Sequence, residues 1–341
     1  MNTEQRTRRQ PPTLEEVAAT AGVSRSTVSR VVNGSTQVSP EVLETVTAAI
    51  ERLNYVPNRA ARSLANRQTM AIALVVPEET TRFFGDPYFA AVVHGIAHAI
   101  ESSDYVLNLQ LATPASPTAK MAKYLRGGNV DGAIVVSHHS GDQFLSGIGD
   151  SLPLVFGGRP LRIDDERTYF VDVDNAAAAE LGTQYLIDRG RTAIATIAGP
   201  PDMPAGVDRA DGWRRAVQAA GLPDDLIAYG DFTMVSGAIA MRELLDSGKQ
   251  MDAVFVASDL MATGAITVLR ERGLRVPEDV AVVGFDDSPA AMSGDIQLTT
   301  VHQPSQEMGE RMATTLLALL RGESPEHQQL LPTHIVVRAS A

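Results

Sequence analysis

The chain contains no cysteine and a single tryptophan among its 341 residues. Without cysteine it can form no disulfide and no thiolate metal site. It also has no run of about 18 apolar residues, the length that a membrane-spanning helix needs. Residues 1–12 are polar and lack the apolar segment of a secretory signal. These absences argue against a membrane protein and against a secreted solute-binding protein, and we expect a cytoplasmic location.

Motifs of common enzymes are absent as well. The sequence has no G-x-x-x-x-G-K-[ST], no G-x-S-x-G and no H-E-x-x-H. Gly147 and Gly149 lack the third glycine and the preceding strand of a dinucleotide site. His138 and His139 are adjacent, and neighbours on extended backbone point to opposite faces, which disfavours a zinc site. We expect no enzyme activity, no cofactor and no metal.

Charge is divided unevenly along the chain. Residues 1–69 contain nine arginines, no lysine and six glutamates, a net charge of +3. The remaining 272 residues carry 20 bases and 35 acids, a net charge of −15. Only the N-terminal part therefore suits a polyanion, and its binding should weaken with salt.

Two short helices around a tight turn are predicted for residues 13–33. Thr13 and Glu16 form a capping box, Gly22 suits the turn, and Ser24 is a good N-cap. At 100° per residue, the second helix has an apolar face and a polar face. The polar face contains Arg25, Ser26, Ser29, Arg30 and Asn33. This pattern predicts a helix-turn-helix DNA reader, and an amphipathic hairpin with a solvated face is the alternative.

A third helix is predicted to begin at Ser39-Pro40-Glu41, which supplies an N-cap, a proline at the first helical position and an early carboxylate. Pro57 should stop this helix. Residues 57–66 can then form only about two helical turns, which should be marginal in isolation. Three helices can bury a small shared core.

Residues 13–66 resemble the DNA-binding headpiece of the lac repressor family of bacterial transcription regulators. The resemblance rests on A-G-V-S-x-x-T-V-S-R at 21–30, V-S-P-E at 38–41 and Y-V-P-N-x-x-A-R-S-L at 55–64. It extends over nearly the whole chain. The DNA-binding residues that it implies are Thr13, Leu14, Ser24, Arg25, Ser26, Thr27, Ser29, Arg30, Asn33, Tyr55, Asn58, Ala61 and Leu64.

The resemblance also implies a division of roles among these residues. Arg25 and Ser26 occupy positions that read base edges, with Arg30 deeper in the groove, and an arginine can discriminate guanine by about 1 to 3 kcal/mol. Leu64 matches the residue that wedges into the minor groove, usually at a central C-G step. A spare core leucine is the alternative for Leu64.

The body of the chain alternates short apolar runs with amphipathic stretches. The predicted strands are 70–76, 105–111, 132–136, 154–156, 192–198, 253–256 and 280–283. Apolar strands joined by helices favour parallel sheets covered on both faces, so we infer two doubly wound lobes. The resemblance implies a two-lobed, periplasmic-binding-protein-like effector domain over residues 70–341, behind an arm at 1–12, a headpiece at 13–56 and a hinge at 57–69. Its N-lobe would comprise 70–171 and 303–329, and its C-lobe 172–302 and 330–341.

A small ligand should bind between the lobes, at the carboxyl ends of strands. From the family motifs, the effector-binding residues would be Tyr88, Phe89, Arg159, Arg209, Phe232, Asp259 and Asp286. Core packing is the alternative for the two neighbouring aromatics, a surface ion pair for Arg209, and helix capping for Asp259. Gly158 and Ser258 depart from the frequent family residues Asp and Asn, which bears on the ligand's identity.

The predicted function is a sequence-specific transcriptional regulator, a repressor in most of the family. It would bind a pseudo-palindromic operator DNA as a homodimer, since two-fold protein symmetry mirrors two-fold DNA symmetry. A small molecule, with carbohydrate as the favoured class, would control it by an allosteric coupling of about 1 to 3 kcal/mol. The alternative is a cytosolic binding protein for a sugar or nucleoside whose regulatory output is activation or co-repression.

Overall fold

Three helices form the N-terminal part of the computed structural model. They are α1 (Leu14–Ala21), α2 (Arg25–Val32) and α3 (Pro40–Leu53). The chain divides into two units between Thr69 and Met70. The residues that the structure describes are 12–32, 37–56, 68–112, 118–145, 148–149, 151–160 and 168–341.

Local sequence signals fix the turn between α1 and α2. The backbone N–H of Thr13 donates to the Glu16 carboxylate at 2.8 Å, and the N–H of Glu16 donates to the Thr13 hydroxyl at 3.2 Å. Gly22 ends α1 with φ 66°, a left-handed conformation that glycine adopts at little cost. The Ser24 hydroxyl accepts from the N–H of Thr27 at 3.1 Å and so caps α2. The predicted capping box, turn glycine and N-cap are all present.

A small apolar core joins the three helices. Val17 of α1, Val28 of α2 and Val46 of α3 are fully buried, and Ala18 and Ala49 pack beside them. Because one face of each helix packs in this core, the opposite face of α2 lies at the surface.

The ends of α3 follow the prediction only in part. Pro40 is its first residue, but the Ser39 hydroxyl makes no capping hydrogen bond. The helix ends at Asn54, which has φ 47° and whose N–H bonds back to the carbonyl of Ile50. A left-handed C-cap therefore stops α3, three residues before Pro57.

The second unit begins with a six-stranded parallel sheet. Its strand order is β11-β5-β4-β3-β1-β2. The strands are β1 (Ala71–Val76), β2 (Val106–Leu111), β3 (Gly132–Val136), β4 (Leu154–Gly157), β5 (Tyr169–Val173) and β11 (Gln328–Leu331).

A second six-stranded sheet has the order β12-β10-β9-β8-β6-β7. Its strands are β6 (Ile194–Ala198), β7 (Ile227–Tyr229), β8 (Ala253–Val256), β9 (Ala281–Asp286), β10 (Thr299–His302) and β12 (His334–Val336). All neighbours are parallel except β12, which runs antiparallel to β10 at the edge. An antiparallel edge strand is a common addition to such sheets.

Helices connect the strands of both sheets. They are α4 (Thr80–Gly85), α5 (Pro87–Ile100), α6 (Thr118–Arg126), α7 (Asn175–Asp188), α8 (Pro204–Ala219), α9 (Met234–Asp246), α10 (Asp259–Glu271), α11 (Ala290–Ser293) and α12 (Ser305–Leu320). In β8, Phe255 packs in the same cluster as Trp213 of α8, whereas the adjacent Val256 packs with Met241 of α9. Successive residues face opposite sides of a sheet, so helices cover both faces, as predicted for a doubly wound fold.

The chain passes between the two sheets three times, after β5, after β10 and after β11. The first sheet extends to Val173 and Leu331, two residues beyond the predicted lobe boundaries at 171 and 329. Strand pairing explains the difference, because Val173 lies opposite Leu331 in the last pair of the β5–β11 register.

Candidate functional sites: a DNA-reading helix and an interlobe cleft

The outer face of α2 carries the candidate DNA-reading residues. Arg25, Ser26 and Arg30 are exposed, while Val28 on the opposite face is buried. The Arg25 guanidinium lies 2.9 Å from the carboxylate of Glu15 on α1, and both side chains are largely exposed. A surface pair of this kind is worth little, so DNA can compete for the arginine.

Other residues predicted to touch DNA lie in different surroundings. Tyr55 is only 8% exposed and packs in the headpiece core, which leaves little of its surface for the DNA contact that the resemblance implies. Leu14 is half-buried against the same core. Asn33, Asn58, Ala61 and Leu64 lie outside the described residues.

The cleft between the two lobes lies where strands of both sheets end. Ser137 follows β3, Gly158 follows β4, and Asp286 is the last residue of β9. The cleft has about 640 Å³ of empty space, including its open mouth. Five predicted residues line it, namely Tyr88, Arg159, Arg209, Phe232 and Asp286. Residues that the sequence analysis missed also line it, among them Arg82, Asp86, His138, Asp172, Asn175 and Gln303.

Arg209 is the centre of the polar side of the cleft. It is 5% exposed, and its guanidinium donates from Nε to Asn175 Oδ1 at 2.8 Å, from Nη1 to the Ala257 carbonyl at 2.6 Å and from Nη2 to Gln303 Oε1 at 2.8 Å. Arginine has five N–H donors, so the remaining ones are left for Asp286, whose Oδ1 lies 3.6 Å away, and for a ligand. Four separate segments thus hold one guanidinium in place.

Three carboxyl groups surround this arginine in a desolvated setting. Burial raises the pKa of Asp172 to about 6, against the hydrogen bonds from the backbone N–H groups of Arg159 and Val173 that lower it. Burial also raises the pKa of Asp286, although the nearby Arg209 charge favours its ionised form. The pKa of Asp86 is raised by burial too. Carboxyl groups in this setting can accept hydrogen bonds from ligand hydroxyl groups when ionised and can donate one when protonated.

The apolar side of the cleft is formed by Phe232. Two cations lie near its ring, with the guanidinium carbon of Arg82 at 5.2 Å and that of Arg209 at 5.7 Å from the ring centroid. Gly199 makes room for the ring, because a Cβ there would come within 2.3 Å of Phe232 Cζ. A flat apolar surface between polar groups suits a ligand with an apolar face and polar edges.

Backbone strain is concentrated at the cleft. Ser137, Phe232 and Asp286 have φ angles of 64°, 67° and 112° and all line it. Non-glycine residues with positive φ are uncommon, and such strain clusters at functional sites. The three positions follow or end strands, so the strained turns direct these residues to the cleft.

Two residues predicted for the cleft lie elsewhere. Phe89 is 2% exposed and packs in the first-lobe core against the ring of Phe83, so core packing is its role. Asp259 is fully buried; its carboxylate accepts from Thr300 Oγ1 at 2.6 Å and from the N–H of Ser288 at 2.8 Å. Asp259 has no exposed surface and does not line the cleft, which argues against its prediction as a ligand contact.

The N-cap of α10 is Ser258, whose hydroxyl accepts from the N–H of Met261 at 3.3 Å. Asp259 therefore does not cap the helix through its side chain either. It ties β10 to the loop that follows Asp286, and burial raises its pKa to about 7.

Two sets of polar contacts cross the mouth of the cleft. Arg159 of the first lobe binds Asp208 of the second with both Nε and Nη2, at 2.9 to 3.2 Å. His139 of the first lobe bonds to Glu78 Oε1 of its own lobe at 3.1 Å and to Asp202 Oδ2 of the second lobe at 3.0 Å. Arg159 was predicted to reach the cleft, but its interlobe partner was not.

The described geometry defines a class of protein: a helix-turn-helix domain joined in one chain to a two-lobed domain with a polar cleft. Residues 13–58 match the family "Bacterial regulatory proteins, lacI family", and residues 183–341 match "Periplasmic binding protein-like domain". The HTH-type transcriptional regulator CelR of Thermobifida fusca is 48% identical over 339 residues, which are 98% of this chain and 99% of that protein. The chain belongs to the LacI family of DNA-binding transcriptional regulators.

Solved structures agree with this assignment. A CelR–cellobiose complex is similar with a TM-score of 0.77 and 46% identity, covering 97% of this chain and 100% of that one. The lac repressor dimer bound to operator and the anti-inducer ONPF is similar with a TM-score of 0.84 and 28% identity, covering 97% and 99%. The predicted family and fold class are confirmed. Among the described residues, no helix is both long and apolar enough to span a bilayer.

Proposed function

We propose that this regulator binds a neutral sugar in the interlobe cleft and that the sugar controls its affinity for a pseudo-palindromic operator. The observation that carries the proposal is the buried Arg209, held by Asn175, Gln303 and the Ala257 carbonyl beside Asp286. Such a fixed donor with neighbouring carboxyl acceptors matches a group of adjacent sugar hydroxyls.

Cellobiose is the first candidate ligand. Phe232 offers the apolar face on which a pyranose ring can stack, and the carboxyl groups of Asp86, Asp172 and Asp286 offer acceptors around it. The similar CelR structure is a cellobiose complex, which supports the same class of ligand here. Calorimetric titration of the full-length protein with cellobiose tests this proposal. Binding supports it, and heats equal to dilution for cellobiose and other neutral sugars contradict it.

The chain acts as a regulator in the cytoplasm, where the DNA lies, and not as an enzyme. The similar proteins named above are regulators, and the groups around Arg209 hold one another in place instead of leaving a nucleophile beside a base. A regulator whose ligand strengthens DNA binding, or an activator, fits the same cleft. Operator binding measured with and without cellobiose distinguishes these outputs.

Closure of the lobes is the step that couples sugar to DNA. Arg159–Asp208 and His139–Asp202 bind across the mouth, so both contacts are made only while the lobes are close. A ligand that contacts both lobes favours closure through its differential affinity for the two arrangements. The resulting shift in operator affinity should correspond to about 1 to 3 kcal/mol.

The His139 contacts make sugar binding depend on pH. Hydrogen bonding to Glu78 raises the pKa of His139 above its ordinary 6.5, and Asp202 acts in the same direction. Glu78 belongs to the same lobe and acts whether the cleft is open or closed, so only the Asp202 contact links this charge to closure. The charged form stabilises closure at low pH, and this contribution is lost as the pH rises through the raised pKa. We expect the cellobiose affinity of the wild type to fall by about threefold as the pH rises through this pKa. The effect is small because an ion pair between partly exposed side chains is weak.

The variant His139→Gln isolates this effect from the titration of other cleft groups. Asp172 and Asp259 also titrate in this region, but they are present in both proteins. The cellobiose affinity of the wild type divided by that of His139→Gln should decrease with rising pH. The same ratio for His94→Gln, a change at an exposed histidine, should stay constant. A constant ratio for His139→Gln contradicts the role given to His139.

The protein acts as a homodimer through an apolar patch that contains the exposed face of α9. Tyr229, Met234, Val235 and Ile239 are large apolar side chains that are 46 to 70% exposed. Two half-sites of a palindrome require two headpieces, so a second copy of this chain is the partner that the patch would cover.

Val235→Glu should therefore weaken the dimer. A charge placed at the patch would be buried against the partner, and the dimer dissociation constant should rise by at least about tenfold. Analytical ultracentrifugation measures the change. Leu181→Glu on α7 is the matched control and should leave the dimer intact. A Val235→Glu protein that dimerises like the control contradicts the interface.

A further inference from the structure

Unpartnered buried polar atoms are concentrated in the cleft. Among the described residues, four buried side-chain nitrogens have no hydrogen-bond partner, and three of them belong to residues that line the cleft. These three are Nε of Arg82 and both ring nitrogens of His138; the fourth is Nδ1 of His327. Since buried polar groups are nearly always paired, such a concentration points to a ligand that supplies the missing partners.

His138 is held in place mainly by packing; neither ring nitrogen makes a hydrogen bond of normal geometry, although the backbone of Arg159 lies close enough to the ring to favour its charged form. It is 6% exposed, and its ring packs edge-on against Phe156 at a centroid distance of 5.3 Å. Its neighbours on both sides, Ser137 and His139, bond to Glu78, whereas the His138 ring does not. A half-turn of the ring about Cβ–Cγ exchanges each nitrogen with a carbon, so the edge at the cleft can present a nitrogen without backbone movement.

The imidazole is neutral in this environment. Burial lowers the pKa of His138 to about 4, the backbone of Arg159 offsets this in part, and the charges of His139 and Arg159 lower the pKa further. A neutral imidazole has one N–H donor and one bare nitrogen that only accepts. A hydroxyl group can satisfy either nitrogen, because it both donates and accepts. A fully ionised phosphate can satisfy only the N–H.

The positive charges of the cleft are already compensated. Arg82 pairs with Glu78, Arg159 pairs with Asp208, and Arg209 lies 3.6 Å from Asp286. Asp86 and Asp172 add two more carboxyl groups. The described lining therefore has no cation in excess to receive a phosphate, and its carboxylates would repel one.

We propose that His138 is a ligand-binding residue that bonds to a sugar hydroxyl, and that this cleft of compensated charges selects neutral sugars against sugar phosphates. This inference rests on the proposed function, since it names a further contact in the same cleft. His138 acts as a hydroxyl partner at the first-lobe side, while Arg209 and Asp286 belong to the second lobe.

The test compares His138→Phe with His138→Gln in the full-length protein. Phenylalanine keeps a ring of similar size but removes both nitrogens, and cellobiose affinity measured by calorimetry should fall by at least about tenfold. Glutamine restores one donor and one acceptor, and affinity should stay within about threefold of the wild type. The exposed His98→Phe is the matched control and should bind like the wild type. Cellobiose 6′-phosphate should bind to the wild type at least about 100-fold more weakly than cellobiose.

Thermal melting without sugar separates a binding role from a structural one. Because His138→Phe removes unpartnered buried nitrogens, its melting temperature should equal or exceed that of the wild type even though its affinity falls. A melting temperature that drops together with affinity, without rescue by glutamine, overturns the inference in favour of a structural role.

The remaining outcomes decide between the inference and the proposed function. Wild-type cellobiose affinity in His138→Phe overturns the inference alone and leaves the proposed function standing. Equal binding of cellobiose and its phosphate overturns the selectivity. A wild-type protein that binds none of cellobiose, glucose and ribose overturns the proposed function and the inference together.

Discussion

Arg209→Ala is expected to abolish the sugar response while operator binding without sugar persists. The substitution removes the fixed donor and leaves Asn175, Gln303 and Asp286 without their cation in a buried site. Loss of one partner of a buried, hydrogen-bonded charge pair typically weakens binding by 2 to 5 kcal/mol or more, so cellobiose affinity should fall more than about 100-fold. Calorimetry measures the affinity, and fluorescence anisotropy of labelled operator measures the response.

Two further variants make this result specific. Arg215→Ala changes an exposed arginine on the same helix and should leave both measurements unchanged. Asp286→Asn keeps the shape of the site, removes one charge and should weaken cellobiose binding by about tenfold. An Arg209→Ala protein that still releases or takes up operator at the wild-type sugar concentration contradicts the site.

Arg25→Ala and Arg30→Ala are each expected to weaken operator binding by about 10- to 100-fold, as the loss of a base contact does. Both residues lie on the exposed face of α2, and their removal leaves the headpiece core of Val17, Val28 and Val46 untouched. Anisotropy titrations over a range of salt concentrations measure affinity and salt slope. Loss of a base contact should relax the sequence preference at one operator position, whereas loss of a phosphate contact should reduce the slope of affinity against salt concentration by about one.

Arg52→Ala is the control for charge, because Arg52 is an exposed arginine of the same unit on α3. Removing this charge should change operator affinity by less than about threefold, because only its long-range, salt-screened attraction to the DNA is lost. If Arg25→Ala and Arg30→Ala behave like this control, α2 is not the reading helix. Sugar affinity should be the same in all three variants, since the cleft lies in the other unit.

The headpiece and most strands could be predicted from sequence because their signals are local. The capping pair of Thr13 and Glu16, the left-handed Gly22 and the apolar runs of β3 and β8 depend only on nearby residues. Five strands were missed, namely β5, β7, β10, β11 and β12. In β5, Asp172 interrupts the apolar run with a charge that belongs to the cleft. The polar residue within a buried run was itself a signal of the site.

Burial and long-range partners were the part that the sequence could not supply. Asp259 and Asp286 both stand at strand or helix ends, yet Thr300 and Ser288, distant in sequence, withdraw Asp259 from the cleft. Phe89 follows Tyr88 directly, but the helix turn places one in the core and the other at the cleft. The contact of Gln303 with Arg209 could not be predicted from the sequence, because it depends on where β10 ends in the folded chain.

The most direct test of a sugar-controlled operator-binding regulator is selection of DNA from a random-sequence library by the full-length protein, with and without cellobiose. Sequencing of the retained DNA should show a pseudo-palindrome that is strongly enriched in one condition and reduced in the other. Retention of the same unselected pool in both conditions would contradict a cleft that controls sequence-specific DNA binding.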